Sequence, residues 1–169
     1  MSARPHSPVT ISIRLWDSRT YASPLLTEQM HEDPLLCLAL EQRGRRGACG
    51  AASARVVQFS LDIPAGRLTP GVAHAAHAAS AGSCARGTGD VSFREGRSGA
   101  GRLLAAATWD GRVRLFDCKA SKPLASMRYH SAAATCVAWA NDDAGELASG
   151  GRDGMVALWR IRVGMEETS

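Results

Sequence analysis

Short apolar runs broken by tight turns occur twice in the C-terminal half of the chain. Leu103–Phe116 reads LLAAATWDGRVRLF, and Leu147–Trp159 reads LASGGRDGMVALW. In each stretch a run of small and apolar residues leads to Asp-Gly, and an aromatic residue follows the Asp six positions later. Asp-Gly between two β-prone runs is a strong hairpin signal, because a type I′ turn needs positive φ at both central residues. The sequence therefore predicts an antiparallel hairpin at each place.

The ending of this hairpin recurs along the whole chain. Four short β-prone runs each close on an aromatic residue, namely Trp16, Phe59, Phe116 and Trp159. Their separations are 43, 57 and 43 residues. A repeat of about 40–45 residues with four strands is typical of a propeller blade. The longer middle interval contains an Ala- and Gly-rich stretch, which predicts a surface loop over residues 64–88, with a turn or two of helix possible over Val72–Ala81.

Two of these endings resemble the WD40-repeat family. They read RLWD at Arg14–Asp17 and RLFD at Arg114–Asp117. More narrowly, residues 88–161 resemble the C-terminal end of the ASTRA-associated protein 1 family of G-protein beta-subunit-like proteins, most specifically around Tyr129–Ala132, YHSA. Together with the period, the resemblance implies an all-β fold: a partial WD40 β-propeller of about three four-stranded antiparallel blades plus one preceding strand. It places the repeats at about residues 25–60, 89–117 and 122–161 of a domain over 9–162, with a disordered start at 1–8 and a tail at 163–169.

The length of the chain limits how much of a propeller it can form. A closed ring takes at least about four blades and commonly about seven, whereas this chain of 169 residues contains three repeats plus one preceding strand, which is too few for a whole propeller. We therefore expect the last part of a larger propeller, either a truncated product or a part that pairs with another chain. Its uncovered faces and end strands then favour poor solubility or self-association.

The composition indicates where in the cell the protein is found and which classes of partner it binds. The formal net charge is +4, but Arg is scattered and only Lys119 and Lys122 are lysines, so we expect no direct nucleic-acid partner. The five cysteines show no CxxC pair, which favours reduced thiols. The N-terminus lacks the apolar segment of a secretory signal, and no apolar run is long enough for a membrane span. We expect an intracellular protein of the nucleus or cytoplasm with no membrane partner.

Repeat three contains the residues of a buried hydrogen-bond relay. The resemblance to WD40 blades implies that His130, Ser149, Asp153 and Trp159 form this relay. The same residue types also match a catalytic Ser-His-Asp set, but a structural relay is favoured, because a buried Asp and a buried indole N–H each need a partner. Repeat two keeps Asp110, has Phe116 in place of Trp, and carries no histidine before its inner strand. Its relay is therefore expected to be incomplete.

The motifs for metal binding, nucleotide binding and catalysis are weak in this sequence. His74 and His77 have HxxH spacing, but without a third ligand we predict a solvated loop rather than a metal site. Gly87–Gly89 and Gly99–Gly101 are GxG pairs that neither complete GxGxxG nor open a helix after a strand. No catalytic carboxylate pair and no P-loop occurs in the sequence. We therefore predict no cofactor and no small-molecule substrate.

The remaining candidate is a protein-binding rim. In a propeller the turns with Asp110 and Asp153 and the loop with His130 lie on one edge of the ring, next to Trp109, Arg152 and Tyr129. Trp, Tyr and Arg are enriched at binding hot spots, although packing against neighbouring loops explains them equally well.

Three functional hypotheses follow from these residues. The family resemblance implies a non-enzymatic scaffold in chaperone-linked complexes that mature phosphatidylinositol-3-kinase-related kinases, or in chromatin-associated complexes. A generic WD40 adaptor for ubiquitin ligases or signalling is the alternative. An enzyme or small-ligand site in the propeller mouth is less favoured.

Overall fold

Thirteen β-strands make up the part of the chain that the structure describes. The computed structural model describes residues 11–20, 22–41, 45–53, 55–75, 87–94, 103–140 and 145–162. The predictions for residues 1–8 and 163–169 lie outside this part, and within it no helix is long and apolar enough to cross a membrane. In chain order the strands are β1 (Ser12–Leu15), β2 (Leu26–Gln29), β3 (Leu35–Leu40), β4 (Arg46–Ala51), β5 (Arg55–Asp62), β6 (Arg67–Ala75), β7 (Thr88–Arg94), β8 (Leu103–Thr108), β9 (Arg112–Asp117), β10 (Lys122–Arg128), β11 (Ala134–Trp139), β12 (Glu146–Gly151) and β13 (Val156–Arg160).

These strands form four antiparallel sheets in which consecutive strands are neighbours. Sheet I contains β1 and β2, sheet II contains β3 to β6, sheet III contains β7 to β10, and sheet IV contains β11 to β13. The order within each four-stranded sheet follows the chain without a crossover. This arrangement confirms the predicted all-β class and the four-stranded antiparallel blades of a partial propeller.

Sheet III is the centre of the fold because both of its faces are covered. On one side Leu104 and Phe116 pack with Val56 of sheet II. On the other side Val113 packs with Leu147 of sheet IV. All six residues of β8, LLAAAT, are buried, and the three alanines leave room for a neighbouring sheet to approach on each side. The small-residue run that precedes Asp-Gly is therefore the packing layer between blades.

The two Asp-Gly hairpins have a different turn from the predicted type I′. Only the glycines have positive φ, +77° at Gly111 and +76° at Gly154. The Gly111 N–H bonds to the Thr108 carbonyl at 3.0 Å, and Arg112 then pairs with Thr108 across the hairpin. This is a three-residue connection in which a turn is followed by a left-handed glycine. Asp therefore keeps ordinary backbone angles, and its side chain is directed by hydrogen bonds rather than by the turn type.

Predicted repeats one and three each begin with a strand that belongs to the preceding sheet. The outer strand at the start of repeat one, β2, pairs with β1, so sheet I has two strands where one was predicted. In the same way β10 completes sheet III, and sheet IV is left with three strands among the described residues.

The predicted surface loop over residues 64–88 is wrong in its first half. Arg67–Ala75 is strand β6, which pairs with β5 as the fourth strand of sheet II. Residues 76–86, and with them most of the helical turn suggested for Val72–Ala81, lie outside the described residues. Pro70 and Gly71 are residue types typical of loops, so the sequence did not indicate a strand here. Both are tolerated because β6 is an edge strand whose register with β5 shifts between Val57 and Phe59.

Candidate functional site

The structure brings together the four residues of the repeat-three relay. His130 Nδ1 lies 3.1 Å from Asp153 Oδ1, and His130 Nε2 lies 3.0 Å from Ser149 Oγ. The Trp159 indole N–H donates to the same Ser149 Oγ at 2.9 Å. The relay therefore links the loop before β11, the middle of β12, the β12–β13 turn and the middle of β13. Because Ser149 is 2% exposed and its oxygen already accepts the indole, the arrangement is that of a structural network rather than of an accessible nucleophile.

Asp153 ties the two loops of this blade to each other. Its carboxylate accepts the backbone N–H groups of Ser131 at 2.9 Å and Met155 at 3.1 Å in addition to the imidazole. Burial acts to raise the pKa of Asp153, but the bonds from Met155, His130 and Ser131 together hold it below the ordinary carboxyl value. The ionised side chain thus fixes the conformation of residues 130–131 and 153–155.

Sheet III carries a different polar cluster in the equivalent place. Arg114, in the middle of β9, donates to Asp110 Oδ1 at 2.9 Å and to Asp110 Oδ2 at 2.6 Å. It also bonds to the Thr108 hydroxyl, which donates to Asp110 at 2.6 Å. Arg114 was not among the residues predicted from the sequence, although a charged residue in an otherwise apolar run, VRLF, is a signal that could have identified it. Arginine here replaces the histidine and tryptophan that the repeat lacks.

In sheet II a longer hydrogen bond joins the loop before β3 to the β4–β5 turn. His31 Nε2 lies 3.3 Å from Ser53 Oγ, and His31 Nδ1 accepts the Asp33 backbone N–H at 2.9 Å. Ser53 stands where the other two hairpins have Asp. Sheets II and IV therefore each have a histidine that joins the loop to the turn, whereas in sheet III Arg114 joins the turn to its own strand β9.

The loops of sheets III and IV meet along one edge, which we call the rim and define as residues 109–111, 129–133 and 152–154. The two turns and the loop contact each other through their backbones. An added Cβ at Gly111 would lie 2.4 Å from the His130 carbonyl oxygen, so only glycine fits there. The Arg152 N–H bonds to the Ala133 carbonyl at 2.8 Å. The rim is therefore a continuous surface supported by both blades.

The three candidate binding residues lie on this rim with different exposure. Arg152 is exposed, and Tyr129 is 49% exposed. The Tyr129 ring stands edge-on to His130 and Trp159, with centroids 5.2 and 6.0 Å away. The side chain of Trp109 is half-buried and lies against Gly87, where an added Cβ would come within 2.5 Å of the indole. Of the three, Trp109 therefore has a clear packing role.

His74 lies in a buried site, and the predicted solvated loop is wrong there. It is 4% exposed, its Nε2 lies 2.5 Å from Gln58 Nε2, and its ring packs on Phe116 with centroids 4.8 Å apart. Burial lowers the pKa of His74, so the neutral form is favoured. His77 lies outside the described residues, and among the residues described no group of three His, Cys, Asp or Glu side chains is arranged to hold a metal ion.

Comparisons with known proteins agree with this architecture. A family model of the anaphase-promoting complex subunit 4 WD40 domain matches residues 97–142. The mouse guanine nucleotide-binding protein subunit beta-like protein 1 is 31% identical over 160 residues, which cover 89% of this chain and 41% of the mouse protein. ASTRA-associated protein 1 of Pyricularia oryzae is 44% identical over 59 residues, covering 34% of this chain and 13% of that protein. Its counterpart in Schizosaccharomyces pombe is 33% identical over 60 residues, covering 36% of this chain and 16% of that protein. The chain thus spans less than half the length of these relatives.

Proposed function

We propose, from its similarity to WD40-repeat proteins that include ASTRA-associated protein 1, that the chain is a non-enzymatic scaffold that binds other proteins through the rim of sheets III and IV. The observation that carries this proposal is the relay. It uses four side chains, of which His130 and Ser149 belong to buried residues and the other two to partly buried residues, to fix two loops at the protein surface. The neighbouring sheet supports the same edge with Arg114 and Gly111. A preorganised rim with exposed Tyr129 and Arg152 has the residue types that dominate binding energy.

The finer part of the proposal concerns the complex. The similarity to ASTRA-associated proteins supports assembly into chaperone-linked complexes that mature phosphatidylinositol-3-kinase-related kinases, or into chromatin-associated complexes. Such a protein would act in the nucleus or the cytoplasm, without a membrane, a nucleic acid or a small-molecule substrate as its direct partner.

A generic WD40 adaptor, in a ubiquitin ligase or in signalling, is the second candidate. It is favoured by the match of residues 97–142 to the WD40 domain of a subunit of another large complex. Both candidates use the rim as a protein-binding surface, and they differ in which proteins are captured.

Affinity capture with rim variants of the tagged chain tests the proposal. Tyr129→Ala and Arg152→Ala should each reduce the amount of co-purified partner while the melting temperature stays close to that of the wild type. Truncation at a hot spot costs about 2 kcal/mol or more, which is roughly a thirtyfold loss of affinity. Trp109→Ala is a poorer probe, because its indole also packs on Gly87.

Two control variants make the result interpretable. Val113→Ala removes a fully buried side chain and should lower stability first and binding only as a consequence. Lys119→Ala changes an exposed residue at the opposite end of sheet III and should alter neither. Normal capture by both Tyr129→Ala and Arg152→Ala would show that the docking surface lies elsewhere.

A further inference from the structure

Two arginines stand directly opposite each other at the rim end of sheet III. Arg128, the last residue of β10, is in register with Arg112, the first residue of β9, so their side chains lie on the same face of the sheet. Like charges in directly opposed positions destabilise a strand pair. A negative charge close to both guanidinium groups would offset the repulsion between them.

The Asp110 carboxylate supplies only part of that compensation. Asp110 already accepts two hydrogen bonds from Arg114, at 2.9 and 2.6 Å. Arg112 approaches the same carboxylate only through Nε, at 3.6 Å from Asp110 Oδ2. This one negative charge is thus shared by two guanidinium groups, with Arg114 bound through both carboxylate oxygens and Arg112 at a longer distance.

Both arginines of the pair remain available to a partner. The Arg112 side chain is 38% exposed and is oriented by a bond from Nη1 to Ser126 Oγ at 3.4 Å. Arg128 is exposed, and within the described ranges it has no ion-pair partner. The residue that follows it along the chain, Tyr129, is a half-exposed aromatic held in place by His130 and Trp159. An oriented guanidinium, a second free guanidinium and a fixed aromatic ring therefore adjoin one another at the rim.

We propose that Arg112 and Arg128 bind an acidic segment, rich in Asp and Glu, of the partner protein. This inference rests on the proposed function and names the chemistry of the partner. Guanidinium groups match carboxylates in geometry and form charge-assisted bonds with them. Binding neutralises the like-charge pair, so the charge arrangement that costs stability in the free chain contributes affinity in the complex.

Fluorescence anisotropy with a labelled decaglutamate peptide tests this directly. The full chain should bind the peptide, and binding should weaken as sodium chloride rises from about 0.05 to 0.3 M, since exposed charges are screened over that range. Arg128→Gln and Arg112→Gln should each weaken binding by about fivefold or more. Lys122→Gln, at the opposite end of β10, is the matched control and should bind like the wild type.

The melting temperature separates binding from structure. Arg128→Gln removes one of two opposed like charges, so it should leave the melting temperature unchanged or raise it by up to about 3 °C. Equal binding by Arg128→Gln and Lys122→Gln would overturn the inference, as would tighter binding of a single-stranded RNA of the same charge. If decaglutamate binding is insensitive to Arg128 while Tyr129→Ala and Arg152→Ala still lose the partner, the acidic segment is wrong and the proposed function stands.

Discussion

Replacing His130 with alanine should destabilise the protein strongly, because the imidazole is the centre of the relay. Its side chain is completely buried and has a polar partner on each ring nitrogen, Asp153 at 3.1 Å and Ser149 at 3.0 Å. Without it, the Ser149 hydroxyl keeps only the Trp159 indole as a partner. An orphaned buried polar group costs about 1–3 kcal/mol, and the lost imidazole packing adds to it. We expect the free energy of unfolding to fall by about 2–4 kcal/mol.

Urea denaturation at pH 7, followed by far-UV circular dichroism, measures this change. Trp159→Phe is a milder companion variant, because it keeps an aromatic ring but removes the donor to Ser149, and it should cost about 1 kcal/mol or somewhat more. Lys119→Ala alters an exposed residue and gives the change in the free energy of unfolding expected for a substitution outside the relay. A loss below about 0.5 kcal/mol for His130→Ala, the range of ordinary surface substitutions, would refute the relay as a source of stability.

Three further predictions concern other parts of the fold. Arg114→Met should cost about 1–3 kcal/mol in urea denaturation, because Asp110 and Thr108 both lose its guanidinium, whereas Arg160→Met removes an exposed partner of Glu146 and should cost almost nothing. Burial lowers the pKa of His74, so the folded chain binds fewer protons than the unfolded chain, and the free energy of unfolding should fall as the pH drops below about 6.5. His74→Gln should flatten this fall between about pH 7 and 5. An unchanged slope would contradict the prediction. Val156 and Leu158 are 69% and 84% exposed, whereas their counterparts in sheet III, Val113 and Leu115, are 0% and 3% exposed because sheet IV covers them. The chain should therefore self-associate, which size-exclusion chromatography with light scattering measures. Leu158→Lys should reduce the self-association, and a monomeric wild type would contradict the prediction.

The sequence was most informative where local chemistry and packing agree. The Asp-Gly hairpins combine a turn signal with β-prone flanks, so β8–β9 and β12–β13 could be predicted from short-range patterns alone. The relay of sheet IV was implied by the resemblance of repeat three to WD40 blades, and in the structure Asp153 directs its carboxylate back to the loop through hydrogen bonds. The turn type itself was wrong, since composition does not reveal that only Gly111 and Gly154 take the left-handed conformation.

Features that depend on a neighbouring sheet could not be predicted from the sequence. Strand β6 contains Pro70 and Gly71, which favour a loop locally, yet pairing with β5 along an edge overrides that preference. His74 is a polar residue in an Ala- and Gly-rich stretch that favours a surface loop, but Phe116 of sheet III covers its ring. Arg114 becomes structural only because folding brings Asp110 and Thr108 within reach of its guanidinium. In each case the deciding contact is between residues whose proximity only the fold establishes.

Site-specific photo-crosslinking tests the rim as the docking surface most directly. A photoreactive amino acid would replace Ser131 in the loop before β11, or Lys119 in the β9–β10 turn at the opposite end of the fold. Both positions are exposed, and neither is one of the proposed binding residues, so neither replacement should disturb the core or remove a contact to the partner. The proposal predicts that the partner captured with the full chain crosslinks from position 131 and not from position 119. Crosslinks from position 119 with none from position 131 would contradict it.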